Sequence, residues 1–273
     1  MSTTHPLAAA IIDEARAIYG AGAIPLHRPV FVGNEKRYLS ECIDSNFVSS
    51  VGARVTEFEQ GIAAFVGARH GVATVNGTAA LHVALELVGT KDGDIVLSQA
   101  LTFIATCNAI SYIRAQPRFV DVDRETMGMS PDALERWLSA NAERRAGGAH
   151  ERASGRRIAA CVPMHTFGHP CRIERIAQVC ADWGIPLVED AAESLGSYVG
   201  ARHTGLFGRL GTLSFNGNKV ITTGGGGMIV TDDQELAARA KHLTTTAKRP
   251  HPFEFFHEET AYNYRLPNLN AAL

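Results

Sequence analysis

The sequence predicts an α/β fold with a mainly parallel central sheet flanked by helices. Three observations predict it. Short apolar runs alternate with segments of helical period through the middle of the chain. Some runs are apolar at nearly every position, IAACVPM (158–164) above all, as expected of strands covered on both faces. Residues able to do chemistry gather just after the runs, and in an open parallel sheet the carboxyl ends of the strands share one ligand-binding rim.

The elements follow in order. MSTTHPLAAAIIDEARAIYG (1–20) reads as an amphipathic helix, because Asp13 and Glu14 interrupt its apolar patch; the same break argues against a signal peptide. Periodicity stays weak to about residue 60, so 1–60 reads as an N-terminal arm or lobe, and 61–245 as the large α/β domain. GVATV (71–75) is a strand, followed by a helix with Leu81, Ala84, Leu85 and Val88 at i, i+3, i+4 and i+7. DIVLS (94–98) is the next strand, FIATCNAISYI (103–113) a helix, and RFVDV (118–122) a strand. Ser130-Pro131-Asp132 opens a helix with a cap, a proline at the first helical position and an acid in the first turn. AERRAGGAHERASGRR (142–157) reads as a solvated surface loop. After 158–164 comes a helix with Ile173, Ile176, Ala177 and Cys180 on one face, then the buried strand IPLVED (185–190). TLSF (212–215) and GMIVT (227–231) are shorter strands, and Asp232 with Glu235 forms a capping box for a helix ending near Leu243. Residues 246–273 begin a C-terminal segment.

Composition narrows the function classes. The chain has 273 residues, 45% hydrophobic and 20% charged, with a formal net charge of -2, so a nucleic-acid partner is disfavoured. Five cysteines, Cys42, Cys107, Cys161, Cys171 and Cys180, make an odd count without a CxxC pair. That fits reduced thiols better than a disulfide frame or a zinc site. No run approaches a membrane span. The expectation is a cytoplasmic protein with no metal and no membrane partner.

The rim residues each have two readings. Gly77, Thr78 and Ala79 open a helix, where free amides and a hydroxyl suit a phosphate; such residues are more often plain caps. Asp190 ends an apolar strand, either as a solvated carboxylate or as the partner of a pyridine nitrogen. Phe103 either packs or stacks on a flat ring. His165 alone is more often a satisfied structural histidine than a catalyst. Lys219 follows Ser214-Phe215-Asn216-Gly217-Asn218 and precedes Thr222-Thr223 and four glycines. Most such lysines are surface charges, but one held among small residues can lose solvent and become a Schiff-base nucleophile. The glycines come after the lysine, so the run is not a Walker loop. No GxGxxG follows the first strand, which ranks a Rossmann-type dehydrogenase low.

NGTAALHVAL, LTFIATCNAI, PRFVDVD, VEDAAESLGS, GTLSFNGNK, TTGGGGMIVT and YNYRLPNLNAAL, in this order, resemble the DegT/StrS family of sugar aminotransferases, which depend on pyridoxal 5'-phosphate (PLP) and have the type I aminotransferase fold. HRPVFVGNEKRYLSECIDSNFVSSVGARVTEFE resembles it too. The resemblance implies that Lys219 is the Schiff-base lysine and proton shuttle and Asp190 the partner of the pyridine nitrogen. It puts Glu193 at a position, often Gln, His or Glu, near the cofactor ring, and makes Phe103 the stacking aromatic. Gly77, Thr78, Ala79 and Ser214 match the phosphate cradle. Asn263 and Arg265 match a segment that reaches the neighbouring subunit of a homodimer, and His165 falls among substrate or partner-subunit positions. The sugar dehydratase branch carries histidine in place of this lysine, so transamination is favoured. CVPMHTFGHP, EDAAESLGSY and SFNGNKVITTGGGGMIVTDD resemble the LegC and perosamine-synthase branch, which implies transfer from glutamate to C4 of a nucleotide-linked 4-keto-6-deoxy sugar for surface polysaccharide. Family members continue beyond Leu273, so the resemblance implies a truncated chain with the C-terminal small domain largely missing. The alternative is a catalytically impaired fragment, or a non-catalytic regulatory or binding homologue that keeps the fold.

Overall fold

The computed structural model describes residues 5–273 and divides into two compact units, Met1–Val30 and Phe31–Leu273. The first unit holds helix α1 (Pro6–Tyr19), with Pro6 in its first turn and the His5 ring accepting from the Leu7 amide. The first four residues of the expected N-terminal helix lie outside the described residues.

The larger unit opens with α2 (Glu35–Asp44) and α3 (Ala53–Val66) and then alternates strands and helices. These are β1 (His70–Thr74), α4 (Gly77–Leu87), β2 (Ile95–Gln99), α5 (Ile104–Tyr112), β3 (Gln116–Val120) and α6 (Pro131–Asn141). A hairpin of β4 (Ala142–Arg145) and β5 (Gly148–Glu151) leads to β6 (Ile158–Cys161), α7 (Ile173–Trp183) and β7 (Val188–Asp190). A short hairpin of β8 (Tyr198–Val199) and β9 (Arg202–His203) precedes β10 (Leu210–Ser214) and β11 (Gly227–Thr231). Helices α8 (Gln234–Thr244) and α9 (Asn268–Ala272) close the chain.

Strands β3, β2 and β6 pair in parallel, as do β7 and β10, while β11 runs antiparallel between β10 and β1. Parallel bridges Cys161 to Leu187 and Met164 to Asp190 join the two groups. The resulting order is β3-β2-β6-β7-β10-β11-β1, with β11 alone reversed.

Strand alternation divides the core between the two faces. Val96, Ala160, Val188 and Ile229 pack with α4, α5 and α8, while Ile95, Leu97 and Cys161 pack with α6 and α7. Each fully buried Leu, Ile or Val contributes roughly 1.5–3 kcal/mol. A third cluster joins Val55, Ile62 and Val66 of α3 to Ala73, Leu213, Phe215 and Met228. Glu59 of α3 is buried, accepts from the Ala73 amide at 3.0 Å and pairs with Lys241 of α8 at 2.6 Å. That carboxylate ties α3 to the first strand and the last long helix.

Two local expectations need correction. Residues 142–157 are not all loop. Ala142 and Ala149 are buried, Gly147 and Gly148 turn with positive φ, and the Arg118–Glu151 pair at 2.7 Å fastens the hairpin to β3. The cap of α8 is Asp233, whose carboxylate accepts from the Glu235 and Leu236 amides. Asp232 instead accepts from the Arg69 amide at 2.9 Å.

Candidate active site

The rim is built where β1, β7 and β10 end. After β1, the Asn76 side chain caps α4 by accepting from the Ala79 amide at 2.8 Å. Ala79 is therefore committed to the cap, and the Gly77 and Thr78 amides are the ones the helix leaves without an intrahelical partner. The sequence expected all three to serve an anion, and the cap removes one. A Cβ on Gly77 would stand 2.9 Å from the Ser214 Cβ and 3.2 Å from its Oγ. Glycine is thus what lets the end of β10 and its hydroxyl lie against the start of α4. Gly227 serves the same close approach, since its Cβ would press on the Asn76 carbonyl.

Asp190 is 3% exposed. Its Oδ2 accepts from the Thr106 hydroxyl at 2.6 Å and its Oδ1 from the Ala192 amide at 3.2 Å. Burial raises its carboxyl above the ordinary value, opposed by those two hydrogen bonds and by the Lys219 charge. Lys219 follows β10 with an 11%-exposed side chain; its Nζ lies 3.1 Å from Glu193 Oε1 and 5.9 Å from the centre of the Phe103 ring. Glu193 also accepts from the Phe167 amide at 3.1 Å, in a turn where Phe167 has φ 54°. Phe103 is exposed and stands at the N-cap of α5. Gly77, Ser214, Asp190, Glu193, Lys219 and Phe103 thus share one end of the sheet.

His165 does not join them. It is fully buried, its Nε2 lies 3.1 Å from Glu189 Oε2, and its Nδ1 accepts from the Cys171 amide at 3.3 Å. Burial, then the Glu189 charge, push the neighbouring Cys171 thiol up, so it stays protonated. Both ring nitrogens have partners within the chain, as in the satisfied structural reading of this histidine. Asn263 is exposed, and Arg265 bridges Thr74 with a buried Nε that has no hydrogen-bond partner among the described residues. Sequence reasoning missed Thr106. Its signal was a hydroxyl three residues past Phe103, one helical turn along the same segment. A separate open cleft between the β1 and α8 starts is lined by Arg69, Arg209, Asp232 and Asp233, and none of the rim residues reaches it.

The DegT/DnrJ/EryC1/StrS aminotransferase family matches residues 31–273. EpsN of Bacillus subtilis (strain 168) is 39% identical over 250 residues, covering 92% of this chain and 62% of that protein. GDP-perosamine synthase of Escherichia coli O157:H7 is 37% identical over 250 residues, covering 92% of this chain and 64% of that protein. Among solved structures, DesI in the presence of its TDP-sugar product superposes with a TM-score of 0.76 at 30% identity, over 93% of this chain and 61% of that one. The chain spans less than two thirds of the length of these relatives.

Proposed function

The chain belongs to the DegT/DnrJ/EryC1/StrS aminotransferase family, and from that membership we propose that it transfers an amino group from glutamate to the keto carbon, at C4, of a nucleotide-linked 4-keto-6-deoxy sugar, with pyridoxal phosphate as cofactor. The observation that carries the reading is Lys219, a nearly buried amine between a carboxylate and an aromatic face on the rim that holds Asp190. GDP-perosamine synthase and the TDP-sugar product of DesI support a nucleotide sugar as the substrate class.

The residues present fit the cofactor. A Cβ at Gly77 would fill the cradle beside Ser214, and Asp190 is a buried carboxylate with acceptor capacity left over. In this reading Gly77 and Thr78 donate their amides, and Ser214 its hydroxyl, to the phosphate. Asp190 would hold the proton of the ring nitrogen, and Phe103 would stack on the ring and exclude water. When bound, pyridoxal phosphate supplies an electron-poor ring that acidifies the carbon bearing the amine. Lys219 Nζ would be the point of covalent attachment, and as a free amine it would take and return the proton at the carbon bearing the amine. Glu193 orients that amine through its 3.1 Å contact. Asn263 and Arg265 belong in this reading to a segment that meets a second copy of the chain in a homodimer. No helix among the described residues is long and apolar enough to cross a membrane, and the five cysteines are free; we place the protein in the cytoplasm, feeding surface polysaccharide synthesis.

The test is chemical labelling. PLP-loaded protein is reduced with borohydride, digested and mapped by mass spectrometry. The pyridoxyl group is expected on Lys219, with none on the Lys219→Ala variant, and glutamate added before reduction should abolish the label. A label on another lysine overturns the assignment. No label at all favours a homologue that keeps the fold for binding alone.

A further inference from the structure

The first turn of α5 faces two ways. Phe103 points out toward Lys219, while Thr106, 1% exposed, points in at Asp190. We propose that Thr106 is a positioning residue for Asp190, backed by Thr102, and that this two-hydroxyl chain fixes the orientation and charge of the carboxylate the cofactor requires. The cofactor part rests on the function proposed above; the hydroxyl chain itself belongs to the protein alone.

The geometry sets the direction of each bond. A charged carboxylate only accepts, so Thr106 Oγ1 donates to Asp190 Oδ2 across 2.6 Å. Having given its proton away, Thr106 accepts from Thr102 Oγ1 at 2.8 Å. The other acceptor near Thr102 is the Met164 thioether at 3.0 Å, which accepts weakly. The two hydroxyl bonds therefore run the same way, and each polarises the next. With the Ala192 amide on Oδ1, each carboxylate oxygen has one fixed donor, which sets the plane of the group.

Among charged groups, Lys219 approaches this carboxylate from the segment after β10 and Glu193 lies beyond, on Lys219, while Glu189 and the His165 ring pair on the opposite face of β7. Burial is the main force raising the Asp190 carboxyl, and the Thr106 hydrogen bond opposes it more than the Ala192 amide or the Lys219 charge does.

Thermal melts of the cofactor-free protein between about pH 4 and about pH 8 test the role. The variants are Thr106→Val, Thr106→Ser, Thr102→Val, and Thr106→Val combined with Asp190→Asn. Valine keeps the shape and removes the donor, so the folded-state Asp190 carboxyl rises further. A raised carboxyl loses stability as pH climbs from the unfolded value through the folded one. Thr106→Val should therefore melt below wild type by a margin that widens with pH. Serine should restore the wild-type profile, and in the Asp190→Asn background the valine effect should be flat with pH. PLP titration should show binding about 5–10-fold weaker in Thr106→Val. A margin that does not change with pH, or one that still widens without Asp190, overturns the proposal. Should Thr106→Val not fold, Thr102→Val decides: a smaller widening margin supports the chain, and a flat one overturns it. A wild type that takes up no PLP defeats the proposed function but leaves the melts to judge Thr106.

Discussion

The two faces of β7 carry consecutive acids with opposite fates. Glu189 and Asp190 are both out of water, and the pleat sends them to opposite sides of the sheet. Glu189 Oε1 accepts from the Phe207 amide at 2.5 Å and the Gly208 amide at 2.7 Å. Its Oε2 accepts from the Gly205 amide at 2.8 Å and lies 3.1 Å from His165. Asp190 has one donor on each oxygen. A carboxylate can accept about four hydrogen bonds, so Glu189 is saturated and Asp190 is half used. The saturated acid builds the 205–208 turn that leads into β10; the half-used one keeps capacity for a ligand. Burial alone does not separate a structural acid from a functional one. The count of donors does.

Breaking the saturated side should have the largest effect. Glu189→Ala leaves the Gly205, Phe207 and Gly208 amides and the buried His165 without their acceptor. Removing one partner of such a buried network costs about 3–5 kcal/mol, a fall in Tm of about 10 °C. Thermal and urea melts check it, and a loss under about 1 kcal/mol would mean that Glu189 does not hold the turn.

The same contrast explains what the sequence revealed. β6, α4, α6 and α7 were legible because their patterns are local: an all-apolar run, an i, i+3, i+4, i+7 stripe, a Ser130-Pro131-Asp132 start. Lys219, Asp190, Ser214 and Gly77 were legible because strand ends converge in a parallel sheet. The β4–β5 hairpin was not, because its buried apolar content is two alanines and its fastening to β3 comes from Arg118, 33 residues away from Glu151. His165 follows a strand as the rim residues do, yet its ring nitrogens meet Glu189 and the Cys171 amide in the interior, and spacing gave no hint of either contact. Thr106 donates to a carboxylate 84 residues away, a pairing that no periodicity encodes.

On the half-used side, Asp190→Asn should separate stability from binding. Burial sets the folded Asp190 carboxyl above its unfolded value, so the folded state holds that proton more tightly. The stability this group contributes is greatest at low pH and falls as pH rises from the ordinary carboxylate range through the raised value. Asparagine does not titrate. The cofactor-free variant should therefore gain on wild type as pH rises from about 4 to about 7, and melt no lower than wild type at neutrality. PLP should bind about 10–100-fold more weakly, the loss of a charged hydrogen bond to the ring nitrogen. Weaker folding at neutral pH with unchanged PLP affinity would make Asp190 a second Glu189 and remove the contrast.

The smallest effect belongs to Glu193, the acid on the rim itself. Its ion pair with Lys219 is partly open to water, with side chains 26% and 11% exposed, so it contributes at most about 1 kcal/mol. Glu193→Gln keeps one oxygen for the Lys219 amine or the Phe167 amide and removes the charge and the second acceptor. A Tm within about 2 °C of wild type is expected, with the pyridoxyl label still on Lys219. Glu193→Leu removes the acceptor as well. Phe167 is exposed, so water can replace the lost partner of its amide and the Tm should again change little. The label is where the two variants should part: Lys219 without its orienting oxygen should take up less pyridoxyl group than in Glu193→Gln. Equal labelling in both would show that the 3.1 Å contact does not orient the amine, and that on this rim Asp190 acts without help from the other acid.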